Sequence, residues 1–167
     1  FARAYVALAI GEVGYRNELT TALDQAEGPA LEGITEALRH SPSSDAEQIL
    51  RSRLGAANPC VRAIAVDALS FRRAAIDAKQ LELSLLDNDP AVVVAAVTAV
   101  GRLRIRSLAS RIEILLGSDN SHVRRAAVRA GLLVGSEKVL AHCRAVIKTK
   151  GEEVTDALTL LGLAGQA

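Results

Sequence analysis

Four segments fall into register when the sequence is slid 31 residues against itself: NPCVRAIAVDAL (58–69), DPAVVVAAVTAV (89–100), NSHVRRAAVRAG (120–131) and GEEVTDALTLLG (151–162). Self-similarity at a fixed period of this size is the mark of stacked supersecondary units. The aligned columns say what the unit is. Asn58, Asp89, Asn120 and Gly151 share a column, and all four are preferred N-cap residues. Pro59, Pro90, Ser121 and Glu152 follow; proline suits the first helical position and an acid there suits the helix dipole. Then Val61/Val92/Val123/Val154, Ile64/Ala95/Ala126/Ala157 and Ala68/Ala99/Ala130/Leu161 align, at spacings of three and four that read as one apolar helical face.

A second set of helices shares the period. AIDAKQLELSLL (75–86), RSLASRIEILLG (106–117) and EKVLAHCRAVIK (137–148) align on Leu81/Ile112/Cys143, Ala78/Ala109/Leu140 and Leu85/Leu116/Ile147. The unit is therefore an antiparallel helix pair. Toward the N-terminus the spacing drifts: Pro29 opens a helix 30 residues before Pro59, and Ser44 with Glu47 forms a capping-box pattern for a helix over 45–54. The count is eleven helices, about five and a half pairs, with no strand. Each pair leaves apolar faces that only adjacent pairs can cover, so the expected fold is all-α: a right-handed αα-superhelix, one solenoid domain over 1–167. The segment Asp89–Arg102, which has no charge between its ends, is then the most buried helix of a middle repeat.

Composition narrows the function. Half the residues are apolar, but there are only two Phe, two Tyr and no Trp. The net charge of +1 gives no global bias toward nucleic acid or toward a basic partner. The uncharged run is shorter than the ~20 residues a membrane span requires. Two cysteines far apart, Cys60 and Cys143, fit a reducing compartment, and the expected location is the cytoplasm. A chain that begins at Phe1 and holds no Met reads as a piece of a longer protein. Its first helix, carrying Phe1 and Tyr5, has no polar cap before it, so that end is expected to be covered by a further repeat or by self-association with a second copy.

The segment LLDNDPAVVVAAVTAVGRL (85–103) resembles the HEAT repeat, in the short Ala-rich bacterial form shared with phycobilin-lyase-type (PBS lyase) HEAT-like repeats and related to armadillo-like arrays. The family pattern ends its first helix in Leu-Leu-x-Asp and opens its second with Asp-Pro-x-Val-Arg. Here Val93 stands where the Arg belongs, while Arg62 and Arg124 carry it but lack the turn Asp, having Ala56 and Ser118. The resemblance covers 44–164 well and 1–43 loosely. It implies a curved scaffold whose second helices line the concave side, and a turn Asp87 that reaches Arg62 or Arg124 in an adjacent repeat. It implies no chemistry.

Self-contained chemistry is not legible. His40, His122 and His142 have no metal spacing, no Ser/His/Asp ordering stands out, and Gly11-Glu12-Val13-Gly14 reads as a helix end and not as a phosphate loop. No catalytic, cofactor or metal residue is assigned, and the chain is expected not to be an enzyme. What remains is the face of the second helices turned away from the apolar stripe: Cys60, Ala63, Asp67, Phe71; Ala91, Val94, Thr98, Arg102; His122, Arg125, Arg129, Leu133; and Glu153, Asp156, Leu160. The residues assigned to partner binding are Asp67, Thr98, Arg102, His122, Arg125 and Arg129. Arg125 is expected to pair partly with Asp156, leaving Arg102 and Arg129 free for an acidic segment of a protein partner. The function so read is a protein-interaction scaffold. The alternatives are a nucleic-acid module like the HEAT-like DNA glycosylases, opposed by the neutral charge balance and few aromatics, and a relative of the chromophore lyases.

Overall fold

A computed structural model describes residues 13–72, 76–149 and 162 of the chain. Among the described residues every regular element is a helix, as the repeat requires. Contacts divide the chain into two compact units, Phe1–Ile76 and Asp77–Ala167.

The first unit holds α1 (Val13–Gln25), α2 (Gly28–His40), α3 (Ser44–Ser52) and α4 (Pro59–Phe71). α1 packs on α2 and α3 on α4, making two hairpins; α1 also meets α3, and α2 meets α4. Like helices thus stack on like, the arrangement that lets each hairpin cover its neighbour. Leu23, Leu38, Ile49, Leu50, Val66 and Leu69 are fully buried between them. Arginines tie the layers across one repeat: Arg16 to Asp45, Arg53 Nε to Asp24 at 3.1 Å, and Arg39 to Asp67. Arg72 closes the same unit from its end, donating to the carbonyls of Leu38 (2.9 Å), Ser41 and Ser43 (3.0 Å) around the α2–α3 turn.

The second unit holds α5 (Ala78–Leu85), α6 (Pro90–Leu103), α7 (Ala109–Ile114), α8 (Ser121–Val134) and α9 (Glu137–Thr149). α6 and α8 form its central seam. A Cβ built on Gly101 would lie 2.9 Å from Ala130 Cα and 3.2 Å from Leu133 Cδ1, so the two backbones touch near their C-terminal ends. That proximity, in step with the 31-residue register, makes them parallel. α8 and α9 approach as closely at Gly131, whose Cβ would sit 2.3 Å from Val139 Cγ2. Single glycines, Gly101 in one helix and Gly131 in the next, are what permit such seams.

The N-cap column is realised. Asn58, Asp89 and Asn120 are extended in φ and ψ and accept the N–H groups of Cys60 (2.9 Å), Ala91 (2.8 Å) and His122 (2.9 Å). Two residues earlier a second acceptor holds the cap itself: Asp87 takes the Asp89 N–H at 2.9 Å, and Ser118 takes that of Asn120 at 3.3 Å. The repeat's arginine spans its own turn. Arg62 Nη1 donates to the carbonyls of Ala56 (2.8 Å) and Ala57 (3.0 Å), and Arg124 Nη1 to the matching Ser118 (2.9 Å) and Asp119 (3.0 Å). Asp87, Arg62 and Arg124 therefore each take part in their own turn.

Several expectations are corrected. The cap of α3 is Ser43, which accepts from Asp45, not Ser44 in a box with Glu47. Pro42 biases the preceding Ser41 to extended backbone, and Ser43 is the last extended residue before the helix. A capping box does form at α5, between Asp77 and Gln80. Ile64, Ala95 and Ala126 are only half-buried, whereas Ala65, Ala96 and Ala127, one position on, are fully buried. A second helix packs against its hairpin mate and against like helices at once, so its buried arc is wider than the three-column stripe. The segment 106–117 is α-helical only over Ala109–Ile114, with 3-10 turns at 106–108 and 115–117. Neither of its N-terminal boundaries has a side-chain cap, and tighter turns satisfy the ends instead. Val13 and Gly14 belong to the start of α1 and not to a helix end. The helix expected over 152–164, apart from the helical Gly162, and the end bearing Phe1 and Tyr5 lie outside the described residues.

Candidate functional site: the exposed faces of the second helices

In the second unit, α8 buries Val123, Ala127, Ala130 and Val134 and turns His122, Arg125 and Arg129 outward, all three exposed. Spacings of three and four put the imidazole and the two guanidinium groups on one face. Beside them α6 presents Ala91, Val94, Thr98 and Arg102, of which Ala91 and Arg102 are exposed and the other two half-buried. The close approach at Gly101 sets the last turn of α6, where Arg102 begins, against residues 130–133 of α8. Five of the six assigned residues thus lie on two helices that pack directly together.

Their states differ. Thr98 turns its hydroxyl back onto the Val94 carbonyl at 2.8 Å, which removes it as a donor to a partner. Arg102 and Arg125 each have interactions of their own, so the expectation that Arg102 stands free is corrected. The proposed mate of Arg125, Asp156, lies outside the described residues. The carboxylates Asp87 and Asp89 are spent on turn and cap N–H groups, and Glu82 and Glu113 are spent on the first-helix layer. Glu113 accepts from the Ser136 hydroxyl at 2.7 Å and pairs with Lys138 at 3.0 Å; the Ser136 hydrogen bond first, then Lys138, holds its carboxyl below the ordinary range.

Asp67 belongs to the first unit and to a different cluster. It pairs with Arg39, which also binds Glu36 and lies with its guanidinium carbon 5.3 Å from the centroid of the Phe71 ring. His40 meets the edge of the same ring at 5.0 Å between centroids and places Nε2 3.2 Å from Glu36. Phe71 is nonetheless 44% exposed. Sequence reasoning does not single out Arg39 and Glu36. The signal is present as Glu36, Arg39 and His40 at helical spacing, but the drifting register of this unit hides which α4 residues they meet.

The site offers exposed guanidinium groups to an anion and little else. No group of His, Cys, Asp and Glu that could hold a metal occurs among the described residues. Both cysteines are free thiols; burial pushes the Cys143 thiol up and makes it a poor nucleophile. No described helix is long and apolar enough to cross a membrane.

No family model and no curated protein matches the chain. Among solved structures it is similar to the complex of CpcE and CpcF of phycocyanin lyase from a Nostoc species, at TM-score 0.59 and 20% identity, over 96% of this chain and 69% of that one. The fold is therefore an all-α helical repeat like that of this complex, in keeping with the repeat that the 85–103 motif resembles. This likeness also corrects the expectation that the chain is not an enzyme. That expectation rests on the lack of a nucleophile–base pair or metal set in the sequence. The same fold serves a lyase, and there it works within a complex, so a missing self-contained catalytic motif does not separate the two classes.

Proposed function

We propose that the chain is a protein-binding subunit built on the lyase-type helical repeat, and that it docks a partner through the exposed face of α6 and α8. The observation that carries this reading is the row His122, Arg125 and Arg129, exposed on a helix whose opposite face is buried. Like charges set together on an exposed helix repel by a few tenths of a kcal/mol per pair, about 0.2–0.5. An acidic segment of a partner protein turns that cost into attraction. The two free thiols support work in a reducing compartment, the cytoplasm. The test is affinity capture with the tagged chain, followed by titration of the captured protein onto wild type and Arg129→Glu/His122→Glu at several salt concentrations. Binding about tenfold weaker, with a flatter salt dependence, is the expected result for rim charges of this kind. Equal affinity and equal salt slope in a folded variant would end the reading.

A second reading, favoured by the likeness to the phycocyanin lyase complex, is that the chain takes part in handling a chromophore. It predicts that the chain, alone or with its captured partner, shifts the absorbance of an added phycobilin. A spectrum unchanged by both together counts against it.

A further inference from the structure

Three arginines fall within five residues where α6 gives way to α7: Arg102, Arg104 and Arg106, in the run GRLRIR (101–106). All three are exposed, while Leu103 and Ile105 between them are half-buried and Leu108 is buried. The apolar residues pin the turn and the cations face solvent. At most about 14 Å of chain separates the first arginine from the last, so one short segment of a ligand can reach them all. The backbone donors of the turn are taken: the N–H groups of Arg104 and Ile105 bond the carbonyls of Gly101 and Val100, each at 3.1 Å, and that of Leu108 bonds Ile105 at 3.1 Å. What the turn offers a ligand is therefore guanidinium. Arg102 has an interaction of its own, whereas Arg104 and Arg106 make no ion pair or side-chain hydrogen bond among the described residues.

Arg104 is also held in a costly conformation. It closes α6 at φ 52, ψ 43, in the left-handed region that a Cβ disfavours, and no other non-glycine residue among those described has a positive φ. The matched turn after α8 closes with the same two backbone bonds, Gly135 N–H to Leu132 (3.2 Å) and Ser136 N–H to Gly131 (2.9 Å), and there the left-handed residue is a glycine, as is usual. In that turn the columns of Arg102, Arg104 and Arg106 hold Leu133, Gly135 and Glu137. The repeat thus closes without any of the three arginines, and Arg104 weakens it. A side chain kept against the preference of its own backbone points to a use beyond the fold. We infer that the α6–α7 turn extends the proposed partner face and binds the carboxylates of the partner's acidic segment through Arg104 and Arg106. The ligand's identity rests on the partner reading above. Guanidinium groups grip carboxylates two-pronged, and the last turn of α6 already lies against residues 130–133 of α8, which sets the turn at the end of that face. Nucleic acid fits less well, because the second unit has no Phe, Tyr or Trp on which a base could stack.

The test is fluorescence anisotropy of a labelled octaglutamate peptide titrated with the 167-residue chain at low salt, with octathymidylate as a second probe. The proteins are wild type, Arg104→Gly, Arg106→Ser, the two combined, Arg129→Glu/His122→Glu and Arg144→Ser. Each single turn variant is expected to weaken octaglutamate binding about threefold, and the pair about tenfold, as loss of exposed charge pairs does. Arg144→Ser, which takes the same charge from an exposed position on α9, is expected to change it by less than about twofold. In urea melts Arg104→Gly should be more stable than wild type, so that its weaker binding is not a loss of fold. Turn variants that bind like wild type, an equal loss in Arg144→Ser, or no binding by wild type overturns the assignment. Turn-dependent binding of octathymidylate without binding of octaglutamate overturns the choice of ligand. If only Arg129→Glu/His122→Glu loses octaglutamate, the partner face stands and the role of the turn falls. If only the turn variants lose it, the turn stands and the α8 row falls.

Discussion

α6 and α8 occupy the same place in successive repeats of one unit and start from the same capping chemistry, yet they finish with different surfaces. α6 runs without a charge from Pro90 to Gly101 and buries seven of its residues; α8 buries five and carries Arg124, Arg125 and Arg129. Both end in a left-handed residue in matched columns, Arg104 (φ 52) after α6 and Gly135 (φ 79) after α8. Both use a glycine to approach the next helix, but at different columns: Gly101 against α8 and Gly131 against α9. The repeat thus fixes where each backbone runs and how it starts. Individual substitutions decide how close the seams are, how much the ends are strained and what the exposed face can bind.

The largest way to break the comparison is at the seams. A methyl group on Gly131 falls 2.3 Å from Cγ2 of Val139, a fully buried and β-branched side chain that cannot swing aside. Overpacking of this kind costs about 1–3 kcal/mol, while the gain in helix propensity from Gly to Ala returns about 1 kcal/mol. Gly131→Ala should therefore lower the urea midpoint by an amount worth about 2 kcal/mol at most. Gly101→Ala should behave alike, because the obstacle there is the Ala130 backbone at 2.9 Å. Gly55→Ala meets nothing within 4 Å and should be close to neutral. A Gly131→Ala protein as stable as wild type would mean that α8 and α9 do not touch this closely.

The helix ends come next. A non-glycine residue in the left-handed region costs about 1 kcal/mol, and Arg104 carries that cost where Gly135 does not. Arg104→Gly should stabilise and Gly135→Arg should destabilise, each by about 1 kcal/mol and with opposite signs. Equal signs in the two denaturation curves would show that the matched ends are not equivalent.

A smaller effect separates the two turns that precede the helices. Arg124 holds the carbonyls of Ser118 and Asp119, whereas Val93, in the same column of α6, is buried and holds none. Arg124→Ala should cost about 1 kcal/mol, since the half-exposed carbonyls it leaves can be partly rehydrated. Arg62→Ala should match it, because Arg62 makes the same two bonds in the first unit. Thermal melts of the two variants that differ widely would refute a common role.

Much of this architecture is legible in the order of the residues, and the rest is hidden for identifiable reasons. The N-cap column predicts the starts of α4, α6 and α8 because a cap is local: Asn58, Asp89 and Asn120 need only their own next two residues. The 106–117 helix reads as longer than it is because its apolar columns continue through ends that no residue caps. Arginine roles are the least legible. The family pattern sends Asp87 toward Arg62 or Arg124, but both arginines also reach backward by five and six residues to carbonyls, and a carbonyl has no letter in a sequence. The Arg39–Asp67–Phe71 cluster is hidden for a related reason. Arg39 and Asp67 lie 28 residues apart in the region where the period drifts, so no column joins them.

The smallest effect on stability falls on the face proposed for partner binding. Thr98 and Arg129 share a column, so exchanging them makes α6 resemble α8, and the reverse, without touching either core. Thr98 is half-buried with its hydroxyl on the Val94 carbonyl; Arg129 is exposed. Arg129→Thr should shift stability by less than about 0.5 kcal/mol, the usual range for a surface change away from special features. Its effect should appear in association. Removing one cation from the row with His122 and Arg125 lowers the attraction that steers an acidic segment onto the face, and this acts on the association rate and its salt dependence more than on the dissociation rate. In stopped-flow binding of the captured partner, Arg129→Thr should therefore slow association at low salt and approach wild type as salt screens the field. Thr98→Arg/Arg129→Thr, which moves the cation one helix over at constant charge, should recover part of the rate if the partner reads only the field. It should recover none if the partner needs a guanidinium on α8. Association unaffected by either variant at every salt concentration would make the basic row of α8 a solvated surface and leave α6 and α8 functionally alike.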